Sequence, residues 1–95
     1  MAAVLITGAN RGLGLGLTRA YLEDGWNVIA VARQPLPETL AAEHKGLEFH
    51  RCDLVDDGDL DRLAGAMAGR AIDVLINNAG RMAKRPGADE AEGQQ

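Results

Sequence analysis

Thr7-Gly8-Ala9-Asn10-Arg11-Gly12-Leu13-Gly14 is the stretch that decides how this chain reads. It follows a short apolar run, Ala3–Thr7. It opens a segment in which Leu13, Leu17, Ala20 and Tyr21 recur at the spacing of one helix face. A strand that feeds a helix through glycines is the context of an anion-binding turn. Positions without Cβ permit the sharp bend and let backbone N–H groups approach a phosphate closely. The helix start adds unpaired N–H donors and a partial positive charge. The spacing is T-G-x-x-x-G-x-G rather than the literal dinucleotide pattern G-x-G-x-x-G. A turn whose glycines serve only packing is the competing reading, and the strand before and helix after weigh against it. Gly16, deeper in the helix, is expected to serve close packing.

Outward from the turn, apolar runs keep alternating with helical stretches. The first helix should span Gly12–Asp24, with Gly25 as its stop. Asn27–Ala32 is a second buried strand, broken by Gln34-Pro35-Leu36-Pro37. Thr39–Lys45 predicts a short helix ended by Gly46, and Leu47–Cys52 a third strand. Acids around Asp57–Asp61 suit a helix start, and Leu60, Leu63, Ala64 and Met67 supply that helix's apolar stripe. Ile72–Ile76 is a fourth strand ending in Asn77-Asn78-Ala79-Gly80. The order β-α-β-α-β-α-β implies an α/β fold with a doubly wound parallel sheet of Rossmann type. The expected strand order is 3-2-1-4, with the first two helices on one face and the third on the other. Residues 1–80 form the expected nucleotide-binding half-domain. Arg81–Gln95 shows no apolar periodicity and reads as a frayed tail or the start of a further segment.

Composition narrows the function. The 95 residues are 46% hydrophobic, 25% charged and 3% aromatic, with a net charge of −4. Scarce aromatics and acidity disfavour a nucleic-acid partner, and acidity disfavours an anionic membrane. No apolar run approaches the roughly 18 residues of a membrane span. A secretory signal is not visible, so a cytoplasmic location is expected. Cys52 is the single cysteine, which excludes an internal disulfide and points to an inert core thiol. His44 and His50 lack partners at metal-ligand spacing. The acidic run Asp56, Asp57, Asp59, Asp61 lacks the glycine position and late glutamate of a calcium loop, so capping and solvation are expected to account for it. Trp26 is expected to pack over the start of the second strand. Lys84 and Arg85 read as solvated.

The glycine string, with Asn77-Asn78-Ala79-Gly80 and Asp53, resembles the short-chain dehydrogenase/reductase family from Ala2 to about Gly80. The opening VLITGANRGLG is most similar to its carbonyl-reductase-like and C-factor-like members. The resemblance implies that Gly8, Gly12 and Gly14 wrap a nicotinamide dinucleotide's pyrophosphate. Asn10, Arg11 and Leu13 of the same turn are among the implied cofactor-binding positions. It also implies that Asp53 accepts from the adenine amino group, with a backbone contact from Leu54 beside it. Asn78, Ala79 and Gly80 would line the adenosine ribose side and brace the central strands. A sugar-nucleotide epimerase relative is disfavoured, because its G-x-x-G-x-x-G spacing is absent.

Cofactor choice can be argued from charge. An NAD-selecting fold usually places an acid about 20 residues past the glycines, bonded to the ribose 2′-hydroxyl. Here the second strand ends Val31-Ala32-Arg33, and Arg11 lies inside the turn. Guanidinium groups pair well with a 2′-phosphate, and a carboxylate there would repel it. NADP is therefore expected over NAD, and basic residues at these positions carry the same meaning in the resembling family.

The family's chemistry is hydride transfer between the nicotinamide and a carbonyl or alcohol carbon. The resemblance implies a tyrosine acid/base, a lysine four residues later and a serine. A phenol is a poor proton donor-acceptor couple at neutral pH until a nearby cation stabilises the phenolate. Tyr21 is the only tyrosine, Gly25 stands where the lysine would be, and the sequence contains no serine. The chain thus reads as the N-terminal, cofactor-binding part of such an enzyme, with a small carbonyl or alcohol substrate only in a full-length parent. A non-enzymatic NADP-binding or regulatory module, or an inactive remnant, is the alternative. The fourth strand is expected to be an exposed edge, with apolar residues of the first and fourth strands partly bare and self-association through that edge.

Overall fold

The computed structural model describes residues 2–79, and Gly80 and the 81–95 segment lie outside the described residues. The elements run β1 (Ala3–Thr7), α1 (Gly12–Glu23), β2 (Asn27–Ala32), α2 (Glu38–Glu43), β3 (Leu47–Arg51), α3 (Asp57–Met67) and β4 (Val74–Ile76). All pairings are parallel, in the order β3-β2-β1-β4. This is the doubly wound order expected from the alternation of strands and helices.

The central strands are apolar on both faces because both faces are covered. Val4, Ile6, Val28 and Ala30 pack with Leu22 of α1 and Leu40 of α2. Leu5, Ile29, Val31 and Cys52 pack with Leu63 and Met67 of α3 and with Leu54 and Ile72. The first two helices therefore lie on one face and the third on the other. Leu5 is only 6% exposed, so the expectation of a bare face on β1 is corrected: α3 and Ile72 cover it. On β4 the expectation stands, with Leu75 67% exposed beside Leu5 at the sheet's edge.

Helix α1 is closed by backbone geometry. Gly25 takes φ 86°, its N–H donates to Leu22 O, and the Trp26 N–H donates to Tyr21 O. This pair of bonds requires the left-handed conformation that glycine adopts without strain. Trp26 then packs edge-on against Tyr21, with ring centroids 4.9 Å apart. The buried face of α1 is Gly14, Thr18 and Leu22, not the predicted Leu13, Leu17, Ala20 and Tyr21. Leu17 and Tyr21 pack only at its flank, Ala20 is exposed, and Leu13 is 71% exposed. Small residues face the sheet because the helix sits close to the turn, and Thr18 satisfies its hydroxyl on Gly14 O.

Other boundaries shift for local reasons. Helix α2 ends at Glu43, before an extended His44. Gly46 does not cap it: a Cβ there would meet Trp26 O at 3.0 Å, so the glycine permits chain pairing at the start of β2. Strand β4 starts at Val74 rather than Ile72, since the Asp73 carboxylate accepts from Ala3 N in place of a ladder bond. Gly16 is exposed, and a Cβ there would meet nothing within 4 Å, so its expected packing role is absent. In α3, Leu63 and Met67 pack inward while Leu60 and Ala64 are exposed, half of the predicted stripe.

Candidate functional site

Four parallel strands present all their carboxyl ends at one rim. Gly8–Gly14 follows β1, Arg33 follows β2, Asp53 and Leu54 follow β3, and Asn77–Ala79 follows β4. Segments far apart in sequence thus follow the strands at one rim, the end at which open α/β sheets take ligands.

The Thr7 side chain ties this rim together. Its hydroxyl donates to Asn77 Oδ1 at 2.9 Å and accepts from the N–H groups of Asn78 and Ala79 at 2.9 and 3.1 Å. The Asn78 side-chain amide donates to Gly8 O at 3.2 Å. The expected bracing by Asn78 is therefore a set of named bonds between the β4 end and the glycine turn. The turn is also held to β2, since Ala9 N–H donates to Val31 O at 3.3 Å.

Two glycines are required by geometry. Gly8 takes φ 65°. A Cβ on Gly14 would sit 2.0 Å from Gly8 O and 2.5 Å from Asn78 Nδ2, a distance that side chains cannot occupy. At Gly12, φ is 57° and nothing lies within 4 Å of a Cβ position, so that side of the bend is open. Helix α1 starts there with Arg11 as an N-cap that makes no side-chain bond and with no acid in the first turn. Leu15 N–H is the first to find a helical partner, on Arg11 O. The amides of Gly12, Leu13 and Gly14 before it have no such partner, and an uncapped helix start of this kind could hold an anionic group such as a pyrophosphate.

The remaining predicted residues lie on the same rim. Arg11 and Arg33 are exposed, Asn10, Asp53, Leu54, Asn78 and Ala79 are half-buried, and Leu13 projects into solvent. Asp53 Oδ1 accepts from Val55 N–H at 3.1 Å, and Leu54 packs against Leu5, Ile29 and Val31. Asp59 corrects the reading of the acidic run. It is 5% exposed and therefore not solvated. Its carboxylate accepts from Arg51 and from Asp53 N–H at 2.9 Å each, and pairs with Arg62. Asp56 fulfils the expected cap by accepting from Asp59 N–H. Spacing gave no signal for the carboxylate of Asp59, because its partners come from the end of β3.

Other groups lie away from the rim. Burial pushes the Cys52 thiol up, in keeping with an inert core residue. Glu48 is held down to about 2 by a paired hydrogen bond from Arg70 and by His50. It borders a cleft of about 400 Å³ at the amino ends of the strands, opposite the glycine turn. Among the described residues no helix is long and apolar enough to cross a membrane.

The sequence matches the short chain dehydrogenase family over residues 2–94. The chain belongs to that family. Serine 3-dehydrogenase of Agrobacterium fabrum is 39% identical over 82 residues, covering 81% of this chain and 32% of the relative. Protein FixR of Bradyrhizobium diazoefficiens is 35% identical over 91 residues, covering 90% of this chain and 33% of the relative. A carbonyl reductase from Pseudomonas aeruginosa PAO1, solved in complex with NADP, superposes with a TM-score of 0.74. It is 40% identical, over 81% of this chain and 37% of that one. This short-chain dehydrogenase chain spans about a third of the length of these relatives. Its fold is the Rossmann-type nucleotide-binding arrangement of an oxidoreductase family.

Proposed function

We propose that this chain binds NADP(H) along the carboxyl rim and serves as the cofactor-binding part of an oxidoreductase that interconverts a small carbonyl and an alcohol. The observation that carries the reading is the start of α1, an uncapped and acid-free helix terminus behind a bend that only glycine can form at position 14. Gly8, Asn10, Gly12, Leu13 and Gly14 would hold the pyrophosphate through backbone N–H groups. Arg11 and Arg33, both exposed, would take the 2′-phosphate. Asp53 and Leu54 would hold the adenine, and Asn78, Ala79 and Gly80 the adenosine ribose. When bound, the nicotinamide supplies or accepts the hydride. Proton transfer at the substrate falls to no residue here. Tyr21 packs against Trp26 at the far end of α1, and the sequence has no serine.

Titration of the folded chain with NADPH and NADH, followed by nicotinamide fluorescence or calorimetry, tests this reading. NADPH should bind about tenfold or more tightly than NADH, the value of one charge-assisted contact to the 2′-phosphate. No turnover of an added ketone is expected. A folded sample with no affinity for either dinucleotide overturns the proposal.

A further inference from the structure

We infer that Asp59 is a positioning residue that sets the pose in which Asp53 reads the adenine ring. The inference deepens the cofactor reading above and rests on it. Asp59 belongs to α3, yet its carboxylate serves the loop after β3. Oδ2 accepts from the Asp53 N–H and from Arg51 Nη2, each at 2.9 Å, and Oδ1 pairs with Arg62. Its own N–H donates to Asp56 Oδ1 at 2.9 Å. A carboxylate that is 5% exposed is costly to bury unless several donors converge on it, and here an amide and two guanidinium groups do. The same carboxylate thus joins the end of β3, the Asp53 loop and the first turn of α3.

Asp53 is fixed on both sides by this arrangement. Its N–H is held by Asp59, and its carbonyl accepts from Asp56 N–H at 2.9 Å. Its Oδ1 closes a turn on Val55 N–H. A carboxylate placed this way offers an acceptor to a ring substituent. Adenine presents a 6-amino donor, whereas hypoxanthine presents a 6-oxo acceptor that a carboxylate repels. Such discrimination depends on placement, because a loose acceptor can turn away and leave both rings equally tolerated.

The test compares NADPH with reduced nicotinamide hypoxanthine dinucleotide phosphate on the full chain and on Asp59→Asn. In the parent, the adenine form should bind more tightly. In D59N the ratio between the two should fall about fivefold toward unity, one hydrogen bond's worth. The ratio of NADPH to NADH should stay within about twofold, since Arg11 and Arg33 are untouched. Equal weakening of both purine forms, with their ratio kept, would make Asp59 a purely structural residue and overturn the inference while leaving the cofactor reading intact. A folded parent that binds neither dinucleotide overturns both. Hydrogen exchange on the parent guards against a D59N chain that does not fold. The Asp53 amide should exchange slowly in the free chain and more slowly with 2′,5′-ADP bound. An unprotected Asp53 amide in both states overturns the inference.

Discussion

Helix α1 begins behind Arg11, which makes no cap, and carries no acid in its first turn. Helix α3 begins behind Asp56, whose carboxylate caps Asp59 N–H, and carries Asp57 and Asp59 in its first turn. Both helices point their positive ends toward the same rim. Helix α3 satisfies its own terminus, as a helix selected for stability does. Helix α1 does not, and the positions where an acid would stabilise it hold glycine, leucine and arginine. Stability withheld at one helix and supplied at its neighbour is the difference on which the proposed cofactor site rests.

The largest expected effect is on the geometry that keeps α1 open. Gly14→Ala places a Cβ against Gly8 O and Asn78, and the helix must move away from the turn. A loss of about 3 kcal/mol in chemical denaturation is expected, with NADPH binding lost in titration. Parent-like values for both would show that the cradle can relax. Next in size is the charge beside α1. Arg33→Asp should weaken NADPH by roughly thirtyfold and raise NADH affinity, read by the same titration. Equal loss of both cofactors would move the 2′-phosphate contact to another residue.

Arg11→Asp gives α1 the start that α3 already has. It should stabilise the fold by about 1 kcal/mol and weaken NADPH about tenfold, a crossing of signs that only a ligand-directed terminus would show. Asp56→Ala on α3 should do the reverse. It should cost about 1 kcal/mol in denaturation and leave NADPH affinity within about threefold.

The smallest effect lies at the opposite end of the sheet. Glu48 is paired with Arg70 and His50, and its carboxyl is held at about 2, below the ordinary 4.5. The folded chain therefore binds that proton less readily than the unfolded chain. The pair stabilises the fold above the ordinary value, and that contribution is lost as pH falls from about 4.5 toward 2. The Glu48 side chain is 39% exposed. Water screens such a pair, so Glu48→Gln should cost no more than about 1 kcal/mol at neutral pH. The gap between parent and variant melting temperatures should close in acid.

Much of the fold was legible in the residues. The strands β1 and β2 are apolar along Ala3–Ile6 and Val28–Ala32 because those stretches are covered on both faces, and such runs read clearly. Gly25 and Gly12 marked the ends of α1 because they take backbone angles other residues avoid. The inward face of α1 was not legible. Gly14 and Thr18 face the sheet, and a search for apolar spacing passes over both. Asp59 was hidden for a similar reason, since its burial depends on Arg51 and Asp53 arriving from β3.

The residues by themselves determined a parallel α/β order and a glycine bend between strand and helix, since burial on two faces and left-handed backbone angles leave marks in single stretches of chain. Only the folded arrangement decided that Thr7, Gly8 and Asn78 form one knot and that Asp59 reaches back to Asp53. Those contacts join segments as much as 72 positions apart, and no local pattern records which side chains the sheet will bring together.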